Sequence, residues 1–149
     1  MIFNNFGDIR DDRTCKALTG LARDQFQELL KIFEASHADL REELYEQGAI
    51  KIRHVPGDRG YLKTLEQRLF FLLFYLKNYP TYDVLGFLFG FSGGHAYDHL
   101  QKLIPVLQRA LSDNNHLPLR DLSIPNDLKQ AIDNKGKIII DATERACVR

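Results

Sequence analysis

Apolar residues recur along this chain at helical spacing in several places and as one short continuous run near its end. Phe26, Leu29, Leu30 and Phe33 fall at i, i+3, i+4 and i+7, which gathers them on one face of a helix opening near Arg23. Leu21 and Phe26 then occupy the two positions of a hydrophobic staple around Ala22 as N-cap. Alanine has no cap oxygen, so Thr19-Gly20 is expected to share that role. The pattern runs less regularly to about Tyr45 through Glu34, Asp39, Glu42, Glu43 and Glu46, a solvated acidic face.

A second helix opens at Thr64. Thr64-Leu65-Glu66-Gln67 is a T-x-x-Q capping box, in which the two outer side chains can satisfy orphan backbone donors reciprocally. Its body (Leu65, Leu69, Phe70, Phe71, Leu72, Leu73, Phe74, Leu76) is apolar nearly all round, so it is expected at the centre of the core. Asn78-Tyr79-Pro80 ends it, because proline disfavours helical geometry in the residue before it.

From Thr81 onward the pattern predicts two helices joined by a sharp turn. Thr81 caps a short one with Val84, Leu85, Leu88 and Phe89 as its apolar positions. Gly90 takes the turn, where a left-handed backbone is needed, and Phe91 plugs the gap. Ser92 caps the next helix, whose inward stripe is Ala96, Leu100, Leu103 and Leu107. Gly86 lets the two helices cross closely. This is the spacing of a helix-turn-helix. An αα-corner of purely structural purpose satisfies the same pattern.

Beyond Ser112 the chain is polar and proline-bearing, with a short helix expected near Asn126 to Ile132. Lys137-Ile138-Ile139-Ile140 reads as a strand buried on both faces, with Asp141 at its carboxyl end. Such an aspartate closes a turn in most proteins. Alternatively it is the first carboxylate of a metal site, and two Mg²⁺ ions need several such oxygens.

Charge changes the picture only locally. The chain carries 20 basic and 20 acidic residues, a net charge of zero, so no whole-chain attraction to nucleic acid follows. Residues 48–63, however, hold Lys51, Arg53, Arg59 and Lys63 against Asp58, four positive charges less one, with His54 in addition. That stretch is either a solvated loop, turning at Pro56-Gly57, or a basic arm lying along phosphates. The second helix of the candidate pair offers His95, Tyr97, Asp98 and His99 for base edges, with Lys102 and Arg109 for phosphates and Ser92 as a further DNA-binding candidate at its start. It begins without Arg or Lys, which predicts modest, salt-sensitive affinity. His95 and His99 stand four apart but lack a third metal ligand nearby. Cys15 and Cys147 form no C-x-x-C pair and read as reduced thiols. The amino terminus has no signal-peptide pattern, and the greasiest run, Leu69 to Leu76, is too short for a bilayer. A cytoplasmic location is therefore expected, with no membrane partner.

Four separated blocks carry a family resemblance. Leu76-Lys77-Asn78-Tyr79-Pro80-Thr81 with Leu85-Gly86 and Phe89-Gly90-Phe91-Ser92 resembles the "Y-L-R-x-Y-P-T-x-x-x-L-G-x-x-F-G-x-S" block of insertion-sequence transposases. Leu103-Ile104-Pro105-Val106-Leu107 resembles its "L-L-P-x-L" ending, and Leu18-Thr19-Gly20-Leu21 its "L-T-G-L" opening, with Ala22 a departure. Ile140-Asp141-Ala142-Thr143-Glu144 resembles the first catalytic block of the DDE superfamily, in the group related to Harbinger-type elements.

The resemblance implies a mainly α protein: a helical bundle containing a helix-turn-helix, followed by the first strand of a truncated RNase H-like domain. The regions expected are 1–47 (helical), 48–63 (basic loop or wing), 64–112 (helix-turn-helix), 113–135 (connector) and 136–149 (start of the catalytic domain). It further implies DNA as partner, at transposon terminal repeats. Asp141 would be the first acid of an incomplete triad, a ligand for Mg²⁺ only in the complete enzyme, with no cofactor in this chain. Glu144 belongs to the same block and is not the triad glutamate. Two other readings stay open: a free-standing DNA-binding regulator of transposition, and a helical module that forms a homo-oligomer without DNA.

Overall fold

The computed structural model describes residues 6–51 and 60–114. Every described residue belongs to one compact unit. The turn at Pro56-Gly57, the helix expected near Asn126 to Ile132, the Ile strand and Asp141 all lie outside the described residues.

The described residues are helical. A 3₁₀ turn, Phe6–Asp8, precedes α1 (Asp12–Thr19), α2 (Arg23–Glu46), α3 (Leu65–Asn78), α4 (Tyr82–Phe89) and α5 (Gly93–Asp113). α3 packs on α1, α2 and α5, while α5 packs on α2 and α4. The apolar run of α3 sits at the centre as its composition requires: residues 69–74 are all buried. Phe26 and Phe33 cover it from α2, Leu85 and Phe89 from α4, and Ala96, Leu100, Leu103 and Leu107 from α5. Phe89 meets Phe71 edge-on at 4.9 Å and Phe74 at 5.8 Å, and Phe91 lies 5.6 Å from Phe71. Pairs of this geometry add roughly 0.5–1.5 kcal/mol each beyond their burial.

Local chemistry fixes the ends. Thr64 Oγ1 accepts from Gln67 N at 3.1 Å, and Gln67 Oε1 accepts from Lys63 N at 2.8 Å, so the capping box reaches one residue further back than its minimal form. At the other end Tyr79 adopts a left-handed backbone (φ 52°) ahead of Pro80, which closes the helix.

One expectation needs correction. The N-terminal region carries a helix, α1, ahead of Arg23, and Thr19-Gly20 closes it instead of opening α2. Asp11 Oδ1 accepts from Thr14 N at 2.7 Å to start α1. Gly20 (φ 83°) ends it, its N–H donating to Lys16 O at 2.9 Å. The α2 donors go elsewhere: Ala22 N to Gln25 Oε1 at 2.9 Å and Arg23 N to Asp12 Oδ1 at 3.0 Å. Of the apolar positions of α4, Leu85 and Phe89 are buried, Leu88 is half-buried and Val84 is exposed.

Candidate nucleic-acid interface

The α4–α5 corner is built around two glycines. A Cβ at Gly86 would lie 2.5 Å from Phe91 O and 2.7 Å from the Ser92 carbonyl carbon. A Cβ at Gly93 would run into the Asp83 side chain and lie 3.1 Å from Asp83 N. The helices therefore approach through backbone. Between them Gly90 turns at φ 83°, and Phe91 N donates to Gly86 O at 2.8 Å. Phe91 is buried under the turn as its position predicts. Thr81 Oγ1 accepts from Val84 N at 3.4 Å, and Ser92 Oγ from His95 N at 3.3 Å, so both helices carry side-chain N-caps.

The corner fixes which face of α5 meets solvent. Ala96, Leu100, Leu103, Val106, Leu107 and Ala110 are buried, whereas His95, Tyr97, Asp98, Gln101 and Lys102 are exposed. Pro105 lies on the exposed side, and the helix continues through it to Asp113.

The residues singled out in the sequence separate into groups. Ser92 caps α5 and also lies 3.1 Å from His95 Nδ1, which orients that imidazole at the helix start. Tyr97 rests edge-on against Tyr82, 5.5 Å between centroids, leaving 45% of its surface open. Asp98 and Lys102 share the same outer face. His99 is half-buried, 5.4 Å from the Phe91 ring and 6.1 Å from Phe71. Burial first, then the charges of Lys102 and Arg68, hold its pKa below the usual histidine range, so it is a neutral packing residue at pH 7.

Arg109 stands apart from that group, about 15 Å further along the helix than His99. Its guanidinium donates to both Glu43 oxygens, at 2.7 and 2.8 Å, and lies 3.5 Å from Asp113. This two-pronged pair ties α5 to α2 and raises the Arg109 pKa, the Glu43 hydrogen bond being the main cause. Lys51 is exposed just beyond α2, and Lys63 is exposed just before α3. Arg53 and Arg59 lie outside the described residues.

Other groups at this face have no signal in helical periodicity. Tyr61, ahead of α3, lies 5.2 Å from the Phe91 ring and 5.9 Å from His95. On the opposite flank Tyr75 lies 5.4 Å from Tyr79 and 5.9 Å from Tyr82, both near-parallel. The hydrogen bond with Tyr82, with burial second, pushes the Tyr75 pKa up to about 12. These contacts join side chains from three elements, which no single stretch encodes. Among the described residues no three His, Cys, Asp or Glu side chains are grouped to hold a metal ion, so His95 and His99 remain a pair.

Two helices joined by a glycine turn, the second with a polar outer face, make this segment a helix-turn-helix. Residues 61–113 match the family model for the helix-turn-helix of DDE superfamily endonuclease, so this part of the chain is similar to the helix-turn-helix of those proteins. No curated protein and no solved structure matches the chain. No helix among the described residues is long and apolar enough to cross a membrane.

Proposed function

We propose that this chain is the DNA-binding amino-terminal portion of an insertion-sequence transposase of the Harbinger-related group, and that it grips transposon terminal repeats through α5. One observation carries the reading. The glycine-tight α4–α5 corner holds a polar α5 face open to solvent, within the segment that matches the DDE helix-turn-helix family. His95, Tyr97 and Asp98 address base edges, and Ser92 orients His95. Lys102, Lys63, Lys51, Arg53 and Arg59 supply phosphate contacts that position the helix without reading sequence. Arg109 takes a lesser part, because Glu43 already occupies its fork. His99 acts by holding α5 in place.

Asp141, by the resemblance, contributes one carboxylate to a Mg²⁺ site in the complete enzyme. A single carboxylate does not clamp two metal ions, so cleavage needs further acidic ligands beside Asp141. The cytoplasm, with its DNA, is the compartment this role requires.

The test is fluorescence anisotropy with duplexes taken from the DNA flanking the gene and with scrambled controls. Five phosphate contacts give a slope of about −4.5 in log K against log salt, or roughly a five-hundredfold loss from 50 to 200 mM. Tighter binding to the flanking duplex with that salt dependence is expected. Equal binding to both duplexes removes end recognition, and no binding at 50 mM removes the reading.

A homo-oligomer is favoured by one feature. Phe87 and Val84 are 83% and 50% exposed on α4, an apolar pair. Sedimentation of the wild type and of Phe87→Ser is expected to show association in the first and a monomer in the second. A monomeric wild type removes the oligomer.

A further inference from the structure

A cluster of basic side chains lies where α2, α3 and the front half of α5 meet, on the flank of α5 away from Tyr97. Arg68, in the first turns of α3, is half-buried there. Its Nε donates to Leu62 O at 3.2 Å, and its Nη1 lies 3.4 Å from His37 Nε2 on α2. A guanidinium has five N–H groups, and these two contacts leave three of them for another acceptor. Burial, and next the charges of Arg68 and Arg41, push the His37 pKa down to about 4, so this ring is neutral at pH 7 and Nε2 can accept from Arg68.

Basic groups act on this pair. Burial and then the charge of Arg41 lower the Arg68 pKa, and Arg41 also acts on His37. Lys102 and Arg68 both act on His99, where Asp98 is the one opposing acid. Gathering like charges around a half-buried guanidinium is unfavourable by itself. An oxyanion placed among them offsets that repulsion and takes up the remaining donors, the arrangement in which arginine outperforms lysine. Tyr61, its ring tilted against His95 at 5.9 Å, continues the same flank toward the amino-terminal end of α5.

We infer that Arg68, oriented by the Leu62 carbonyl and by His37, binds a backbone phosphate of DNA docked against α5. The inference rests on the DNA-binding reading above and adds to it an anchor on α3. Sequence inspection does not reveal it, because His37 and Arg68 are 31 positions apart.

The test uses the full chain and a 20-base-pair duplex, with log Kd followed against log salt for wild type, Arg68→Gln and Lys77→Gln. Lys77 is an equal charge at the other end of α3, its Cδ 3.6 Å from where a Cβ on Gly20 would stand. Removing one phosphate contact changes the slope by about 0.9, which is an eightfold weakening, roughly, at 0.1 M salt. Arg68→Gln is expected to show that change with an unaltered circular dichroism spectrum, and Lys77→Gln to keep the wild-type slope. A wild-type slope in folded Arg68→Gln overturns the inference and leaves the DNA reading standing. Failure of wild type to bind the duplex at 50 mM salt overturns both.

If Arg68→Gln does not fold, Arg68→Lys decides. It keeps the charge and loses the fork, so several-fold weaker binding at unchanged slope is expected, and wild-type affinity overturns the inference. Inorganic phosphate separates the two sources of the ligand. Millimolar phosphate raising the melting temperature of wild type but not of Arg68→Gln, with DNA slopes equal, marks a free-anion site and overturns the DNA contact.

Discussion

Replacing Gly86 by alanine puts a methyl group where the α4–α5 corner has no room for one. The new Cβ would stand 2.5 Å from Phe91 O, 2.7 Å from Ser92 C and 2.9 Å from Gly93 N. Unstrained non-bonded contacts of carbon lie at about 3.5–4.0 Å, so the turn would have to retreat by roughly 1 Å. The opposing atoms are backbone and cannot swing aside as a side chain would. Overpacking costs about 1–3 kcal/mol, and this geometry belongs at the upper end. Alanine's better helix propensity returns close to 1 kcal/mol, leaving a net loss of about 2 kcal/mol. For a unit of this size that lowers the melting temperature by roughly 6–12 °C. The assay is thermal unfolding followed at 222 nm, with Gly94→Ala as the comparison. A Cβ at Gly94 meets only Ser92 Oγ at 3.9 Å, so that variant should melt at or slightly above wild type. Were Gly86→Ala to melt at or above wild type, the claim that α5 is held through this glycine would be refuted.

Acid should weaken the fold before most carboxylates titrate. The His37 pKa is about 4 in the folded chain against 6.5 ordinarily, so between those values the unfolded chain binds more protons. Its stabilising contribution is present above pH 6.5 and is lost as pH falls toward 4. The full gap corresponds to roughly 3 kcal/mol, which solvent screening of a half-exposed ring reduces to about 1–2 kcal/mol. Melting temperatures between pH 7 and 4.5 should fall for wild type and fall less for His37→Gln; parallel curves contradict the assignment. Asp11 and Glu43, both with lowered pKa values, lose their contributions at lower pH still. Ser92→Ala removes the α5 cap and should cost about 1 kcal/mol in urea unfolding, with Ser92→Thr close to wild type. Equal stability of the alanine variant would deny the cap its role.

What was legible in the sequence was local. The T-x-x-Q box and the apolar run it opens specify α3 without outside information, and Thr81, Gly90 and Ser92 mark the corner because caps and turns act within a few residues. α1 escaped because its eight residues bury only Cys15 and Thr19, too few to show a period. Tertiary contacts hold it, such as Asn78 Nδ2 donating to Leu18 O at 3.0 Å across 60 positions. The exposure of Val84 shows a related limit: two turns show too little of a face to tell an inward position from its neighbour. At the interface, periodicity separated the outer residues of α5 from its inner stripe. It could not tell that Arg109 meets Glu43, 66 positions away, or that Arg68 meets His37.

The most direct measurement is amide chemical-shift mapping of the full chain during titration with duplex DNA at 50 mM salt. The account predicts the largest changes at residues 92–102 and 60–64, with little change in α1. Changes centred on α1, or none along the front half of α5, would contradict it.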